Sequence, residues 1–259
     1  MYKLRRALFS QNFLHNHKLV SSLVGRSSVG KHDLVLEIGS GKGIITFELA
    51  QRVGHVIAVE IDAHWYQYLQ EKLENLSNVT VYRQDFLEFT LPRLPYKVFA
   101  NIPFAIEGKV VRKLLEDANP PYDCYLVVMK ELAQRFCMGH TMFSAMHSPW
   151  FDFSIAHYFD RCDFTPMPNV DAVLLRIVQK SMLLLPWQER KRYMRFIQTA
   201  FCDGQAVRHN LKRIVSLEKI DHALHSMSLR RNIRPADLTQ EQWRRLYEAL
   251  YDFSGRSTD

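Results

Sequence analysis

From residue 33 to about residue 180 the chain alternates short runs of apolar and β-branched residues with stretches whose apolar positions recur at helical spacing. Seven runs read as strands: Leu34–Ile38, Val56–Ile61, Val79–Tyr82, Lys97–Ala100, Cys124–Met129, Phe153–His157 and Ala172–Val178. Between them Ile44–Arg52, Trp65–Leu76 and Lys109–Asp117 read as helices. Such alternation predicts an α/β fold, a doubly wound seven-stranded sheet with parallel strands and helices on both faces. The last two runs are joined only by Phe159–Asn169, which leaves no room for a crossover helix. An antiparallel hairpin is expected there, at the sheet edge.

After Pro186 the pattern is helical and amphipathic throughout, over Glu189–Phe201, Ala206–Ile214, Glu218–Leu224 and Thr239–Leu250. Thr239 followed by Gln242 has the form of a capping box. The expected division is a first domain over residues 1–180 and a small C-terminal all-helical domain over 181–259. A length of 259 residues suits one large or two modest domains.

Composition narrows the class. With 47% hydrophobic and 24% charged residues, the chain is no disordered, collagen-like or disulfide-scaffold sequence. It has no apolar run near the ~20 residues of a spanning helix, and Met1–Ser10 has no apolar stretch of the secretory kind. Cys124, Cys137, Cys162 and Cys202 are too widely spaced for a zinc knuckle or a redox CxxC, so no metal is expected. Sparse thiols fit a reducing compartment, and the cytoplasm is the expected location.

Charge changes the picture more. The net charge of +7 is concentrated at the ends: residues 1–32 carry six Lys/Arg and no acid, and residues 181–259 carry 14 basic and 9 acidic residues. The middle is slightly acidic. A polyanionic partner, most simply nucleic acid, fits this asymmetry; solvated helix surfaces fit it too. The first 32 residues also contain five serines, a composition shared with mitochondrial transit peptides.

Four strand ends carry candidate chemistry. Val35-Leu36-Glu37-Ile38 runs into Gly39-Ser40-Gly41-Lys42-Gly43, where glycines permit positive φ and close backbone approach. A GxxxxGK[ST] phosphate loop fails because Gly43 follows Lys42, and GxGxxG fails because residue 44 is Ile. The remaining GxGxG turn is typical of S-adenosylmethionine sites, or else a purely structural turn. Glu60, 21 residues after Gly39, ends the second strand, where a carboxylate can accept both ribose hydroxyls of a nucleoside cofactor. Asp85 ends the third strand and can accept an adenine amine with Phe86 against the ring, or simply cap a helix.

Asn101-Ile102-Pro103-Phe104 ends the fourth strand. The amino nitrogen of adenine is a poor nucleophile because its lone pair is delocalised into the ring. Accepting its N–H bonds, here by the Asn101 side-chain oxygen and the Ile102 carbonyl, aims that lone pair at a methyl donor. Pro103 fixes the turn, and Phe104 offers a stacking face for a flipped base.

With these motifs in this order, the chain resembles the rRNA adenine N6-dimethyltransferases, the Erm and KsgA group, over nearly its whole length. Gln11-Asn12-Phe13-Leu14 resembles the family's N-terminal element, and Phe164-Thr165-Pro166-Met167-Pro168-Asn169-Val170 its FxPxPxV element. The resemblance implies a Rossmann-like methyltransferase sheet, S-adenosylmethionine as cofactor, ribosomal RNA as partner and a basic helical RNA-binding domain. It implies that Gln11, Asn12 and Leu14 close over the cofactor, with Gly39, Gly41, Glu60, Ile61, Asp85, Phe86 and Asn101 around it. It gives Asn101, Ile102, Pro103 and Phe104 to catalysis, with Phe164 holding the adenine opposite Phe104. On the same resemblance Gln11–Leu14 belongs to the core, so the residues before it read as a functional arm with Lys3, Arg5 and Arg6 set to meet RNA phosphates.

Trp65, Asp171-Ala172-Val173 and Ala236–Trp243 look more like the Erm branch, which acts on one 23S rRNA adenine at the macrolide site. The expected function is therefore 23S rRNA adenine methylation with macrolide–lincosamide–streptogramin B resistance. The alternatives are a KsgA-type 16S rRNA enzyme, a non-catalytic nucleic-acid-binding relative and a nicotinamide oxidoreductase. Ala105-Ile106-Glu107-Gly108 departs from the small hydroxyl-bearing residues common after this turn, and would set Glu107 near a phosphate-rich substrate. His55, His147 and His157 read as structural or surface residues, and Phe143–Phe159 as core. A monomer is the simplest expectation.

Overall fold

A computed structural model describes residues 12–251. Gln11, Lys3, Arg5 and Arg6 lie outside the described residues. In chain order the elements are β1 (Phe13–Leu14), α1 (His17–Arg26), β2 (Leu34–Ile38), α2 (Ile44–Ala50), β3 (His55–Glu60), α3 (Ala63–Leu73), β4 (Val79–Arg83) and β5 (Lys97–Asn101). There follow α4 (Glu107–Glu116), β6 (Asp123–Met129), α5 (Lys130–Cys137), α6 (Met142–His147), β7 (Phe151–Tyr158), β8 (Phe164–Thr165) and β9 (Ala172–Gln179). The chain closes with α7 (Arg190–Ala200), α8 (Val207–Leu211), α9 (Leu217–Ser226) and α10 (Gln240–Tyr251).

Seven strands form one sheet in the order β4-β3-β2-β5-β6-β9-β7. β4, β3, β2, β5 and β6 are mutually parallel, β9 is antiparallel to β6, and β7 is the edge beyond it. The chain leaves β2 toward β3 on one side and returns to β5 on the other. That reversal opens a crevice at the strands' C-terminal ends, where ligands bind in sheets of this type. The strands are apolar because both faces are covered: Val35, Leu36, Val56, Ala58, Val98, Leu126 and Val127 are fully buried.

The contacts divide the chain into two units. One runs to Ala133 and resumes over Phe153–Gln179; the other takes Gln134–Asp152 and continues from Lys180. The segment 134–152 thus belongs with the C-terminal helices, whereas composition alone set a single boundary at 180. Packing explains it. Within this second unit Phe136 meets Phe143 edge-on at 4.6 Å, and Trp150 meets Tyr193 at 5.5 Å while its indole N–H donates to the Leu185 carbonyl. Tyr193, Phe196, Trp243 and Tyr247 complete this aromatic core. The Thr239–Gln242 capping box forms reciprocally, at 2.9 and 3.2 Å.

Two local features depart from the sequence reading. The basic stretch before residue 33 contains a helix, α1, capped by Asn16 and burying Val20, Leu23 and Val24. β1 and β8 pair antiparallel, Phe13 with Thr165 and Leu14 with Phe164. A two-residue strand has too short a period to show in a sequence.

At the N-terminal ends of the central strands lies a polar cluster. The Lys97 ammonium is 2.8 Å from Asp33 and donates to the Ser28 carbonyl; Asp33 also accepts from Gly30 N–H and the Tyr122 hydroxyl. Burial alone would raise the Asp33 pKa, but these partners outweigh it and hold the carboxyl below the usual range. Lys97 and Asp33 side chains are only 9% and 16% exposed, so removing the carboxylate strands a buried cation. Asp33→Ala is expected to lower stability by about 3 kcal/mol in urea unfolding, more than Lys97→Met does.

Candidate active site

The crevice beside β2 and β5 is a cavity lined by the ends of four parallel strands. Gly39 comes from the turn after β2, Glu60 and Ile61 from the end of β3, Asp85 and Phe86 from beyond β4, and Asn101 through Phe104 from the end of β5. Asn12 and Phe13 cover it from the N-terminal side. The motifs lie far apart in sequence and meet because parallel strands bring their C-terminal ends to one edge.

The glycine turn explains its own composition. Gly39, Gly41 and Gly43 all have positive φ, at 70°, 50° and 79°. A Cβ on Gly41 would sit 2.5 Å from the Phe13 ring, so the aromatic side chain occupies the space a larger residue would need. Gly41 itself does not line the cavity. Its N–H donates to Glu60 Oε2 at 2.7 Å, and the Asp62 N–H donates to Oε1 at 2.8 Å. Burial raises the Glu60 pKa and these N–H bonds oppose it. The carboxylate is held rigid at the cavity wall with one backbone donor on each oxygen.

Asp85 Oδ1 accepts from the Leu87 N–H at 2.8 Å, which tightens the turn that also sets Phe86 against the cavity. The Lys113 ammonium lies 5.5 Å from the Phe86 ring centre. Asn101 donates its side-chain N–H to the Asn12 carbonyl at 2.8 Å. That bond identifies the amide nitrogen and turns the oxygen away from Asn12 as an acceptor. Pro103 closes the turn by accepting the Ile106 N–H at 3.0 Å.

Not every expected site residue reaches the cavity. In β1 and β8, side chains alternate between faces. Phe13 faces the cavity, while Leu14 and Phe164 point into the core, both almost fully buried, and Phe164 packs on Phe159 at 5.4 Å. Phe164 and Phe104 therefore do not frame one open slot in this structure. Glu107 is also buried: it accepts the Met129 N–H at 2.8 Å and so faces the end of β6, contrary to the expectation that it meets the RNA. The sequence reading missed Phe13, Ile38, Val59, Gln84, Leu87, Ala105 and Ile106 as lining residues. All but Ile106 adjoin a predicted site residue, which is the one signal that could have found them.

The donor set fits a nucleoside cofactor. Two carboxylates stand at adjacent strand ends, and Ile38, Val59, Ile61 and Phe86 supply flat apolar walls for a purine. His55 bonds Thr80, His147 packs between Phe143 and Phe151, and His157 packs on Phe159. Among the described residues no group of three or more His, Cys, Asp or Glu is placed to hold a metal, and no helix is long and apolar enough to cross a membrane.

Comparison with known proteins agrees with this geometry. The model of the ribosomal RNA adenine dimethylase family matches residues 3–252. The chain belongs to that family. It is accordingly an S-adenosylmethionine-dependent rRNA adenine N6-methyltransferase. Among its relatives, an rRNA adenine N-6-methyltransferase of Bacillus licheniformis is 29% identical over 94% of this chain and 86% of its own. A ribosomal RNA small subunit methyltransferase A of Caldanaerobacter subterraneus is 30% identical over 94% and 96%. The crystal structure of the 23S rRNA methyltransferase ErmE superposes with a TM-score of 0.79, at 28% identity, covering 92% of this chain and 99% of that one.

One acid is buried behind the glycine turn. Glu37 is fully buried, accepts the Thr46 hydroxyl, and burial pushes its pKa up to about 8 from 4.5. The folded state therefore holds this proton more tightly than the unfolded chain. Its contribution to stability is complete below about pH 4.5 and is lost as pH rises through about 8. Glu37→Gln is expected to flatten the fall in urea midpoint across that window.

Proposed function

We propose that this protein methylates N6 of one adenine of 23S rRNA at the macrolide site, giving macrolide, lincosamide and streptogramin B resistance. The match to ErmE along nearly the full length of both chains carries this reading. Trp65, Asp171–Val173 and Ala236–Trp243 support it as Erm-like stretches. The second reading, methylation of 16S rRNA, is favoured by the similar identity to a small-subunit enzyme.

In this proposal the first unit is catalytic and the second binds RNA. Among the described residues of the second unit, a surface pocket is lined by Arg208, His209, Lys212 and Arg231; Asp221 pairs with Arg208 and Arg231, and Lys212 adds a further cation that suits a phosphate. Recognition would follow the shape of an unpaired loop and not duplex base edges. The expected setting is a cytoplasmic monomer.

S-adenosylmethionine, when bound, supplies a methyl group on a sulfonium. Glu60 would hold the ribose hydroxyls and Asp85 the adenine amine, with Phe86 against the ring. Asn101 Oδ1 and the Ile102 carbonyl would accept the two N–H groups of the target adenine. Drawing on those bonds would localise the N6 lone pair so that it could take the methyl group the cofactor supplies, the S–C bonding electrons staying with sulfur. The alkylated nitrogen is acidic and releases its proton to water, so no strong general base is required. Phe104 would stack on the flipped base.

Labelled S-adenosylmethionine with protein-free 23S and 16S rRNA in separate reactions, followed by primer extension, tests the substrate. A single stop at the macrolide-site adenine of 23S is expected; label confined to 16S would overturn the 23S reading. Asn101→Ala is expected to lower kcat by about a hundredfold while rRNA binding persists.

A further inference from the structure

Phe13 is held by more than the glycine turn. Its ring meets Trp65 edge-on at 5.4 Å, and the Lys42 ammonium lies over both rings, 5.3 Å from Phe13 and 5.9 Å from Trp65. Trp65 is itself braced on α3 by His64 at 4.8 Å and Tyr68 at 5.9 Å. The residue before Phe13 is Asn12, whose carbonyl accepts the Asn101 amide. β1 has only two paired residues, so this short strap has few bonds of its own to fix the position of that carbonyl.

We propose that Trp65 and Lys42 are positioning residues for methyl transfer. They clamp Phe13 over Gly41, and the clamp fixes the Asn12 carbonyl, which orients the Asn101 amide. None of the three side chains Trp65, Lys42 and His64 lines the cavity. Their effect on the reaction runs through the strap. The amide nitrogen of Asn101 stays occupied, and its oxygen stays aimed at the incoming adenine. Without the clamp the amide can rotate, and a rotated amide presents a donor where the adenine N–H needs an acceptor. The inference rests on the role given above to Asn101.

The test has two readouts. In single-turnover methylation of rRNA at saturating S-adenosylmethionine, Trp65→Ala and Lys42→Met are expected to slow the chemical step about tenfold, with the KM for RNA little changed. Trp65→Phe should restore most of the rate. In the Asn101→Ala background Trp65→Ala should cost less than twofold, because the group it positions is gone. Equal losses in both backgrounds, or a loss that vanishes at saturating cofactor, would overturn the proposal; the latter would make the clamp a cofactor cover only. The second readout needs no substrate. The Asn101 side-chain amide protons, identified in NMR spectra by their absence from Asn101→Ala, should exchange with solvent several-fold faster in Trp65→Ala. Unchanged exchange would overturn the clamp even if rRNA proves a poor substrate. Failure of the wild-type protein to methylate either rRNA, with altered exchange in Trp65→Ala, would count against the reading of function and leave the clamp standing.

Discussion

The hydrogen bond from the Gly41 N–H to Glu60 joins two strand ends that a parallel sheet merely sets side by side. It needs a turn after β2 that folds back over β3, and such a turn needs positive φ at Gly39, Gly41 and Gly43. Glycine at 41 leaves the space in which the Phe13 ring sits. The ring brings Asn12 to Asn101, and Asn101 sits on the next strand of the same sheet. One buried carboxylate accepting a backbone N–H thus organises a cavity whose walls come from four strands and one strap.

The sheet separates two kinds of polar chemistry. At the N-terminal ends of the parallel strands, Lys97 pairs with Asp33, and Asp123 pairs with Arg176 of the antiparallel β9, which ties β6 to β9. At the C-terminal ends, Glu60 and Asp85 are held by backbone N–H donors and Asn101 by the Asn12 carbonyl, and all three line the cavity. Rigidity is built from the first group and specificity from the second. The parallel topology makes this division possible, because every strand of the set points the same way.

The strands β2 to β6 were legible because doubly covered strands are continuous apolar runs, and Glu60, Asp85 and Asn101 to Phe104 were legible because each follows such a run directly. The Thr239 capping box was legible because its two partners lie three residues apart. What escaped depends on contacts distant in sequence. Leu14 and Phe164 face the core because β1 and β8 pair across 150 residues, and no local pattern encodes that pairing. Residues 134–152 join the second unit through Trp150, whose partners are Tyr193 on α7 and the Leu185 carbonyl. Glu107 reads as a surface charge until the Met129 N–H is seen above it.

The nesting of the Phe13 ring over Gly41 also constrains how this sequence can drift. A side chain at position 41 collides with the ring, and a small residue at 13 leaves the turn uncovered beside Trp65. Shrinking 13 would clear the ring, but the positive φ of 50° at 41 would still disfavour a side chain there, and the strap would lose its contact with Trp65. The steric fit thus constrains Gly41 and Phe13 as a pair and not as two independent positions.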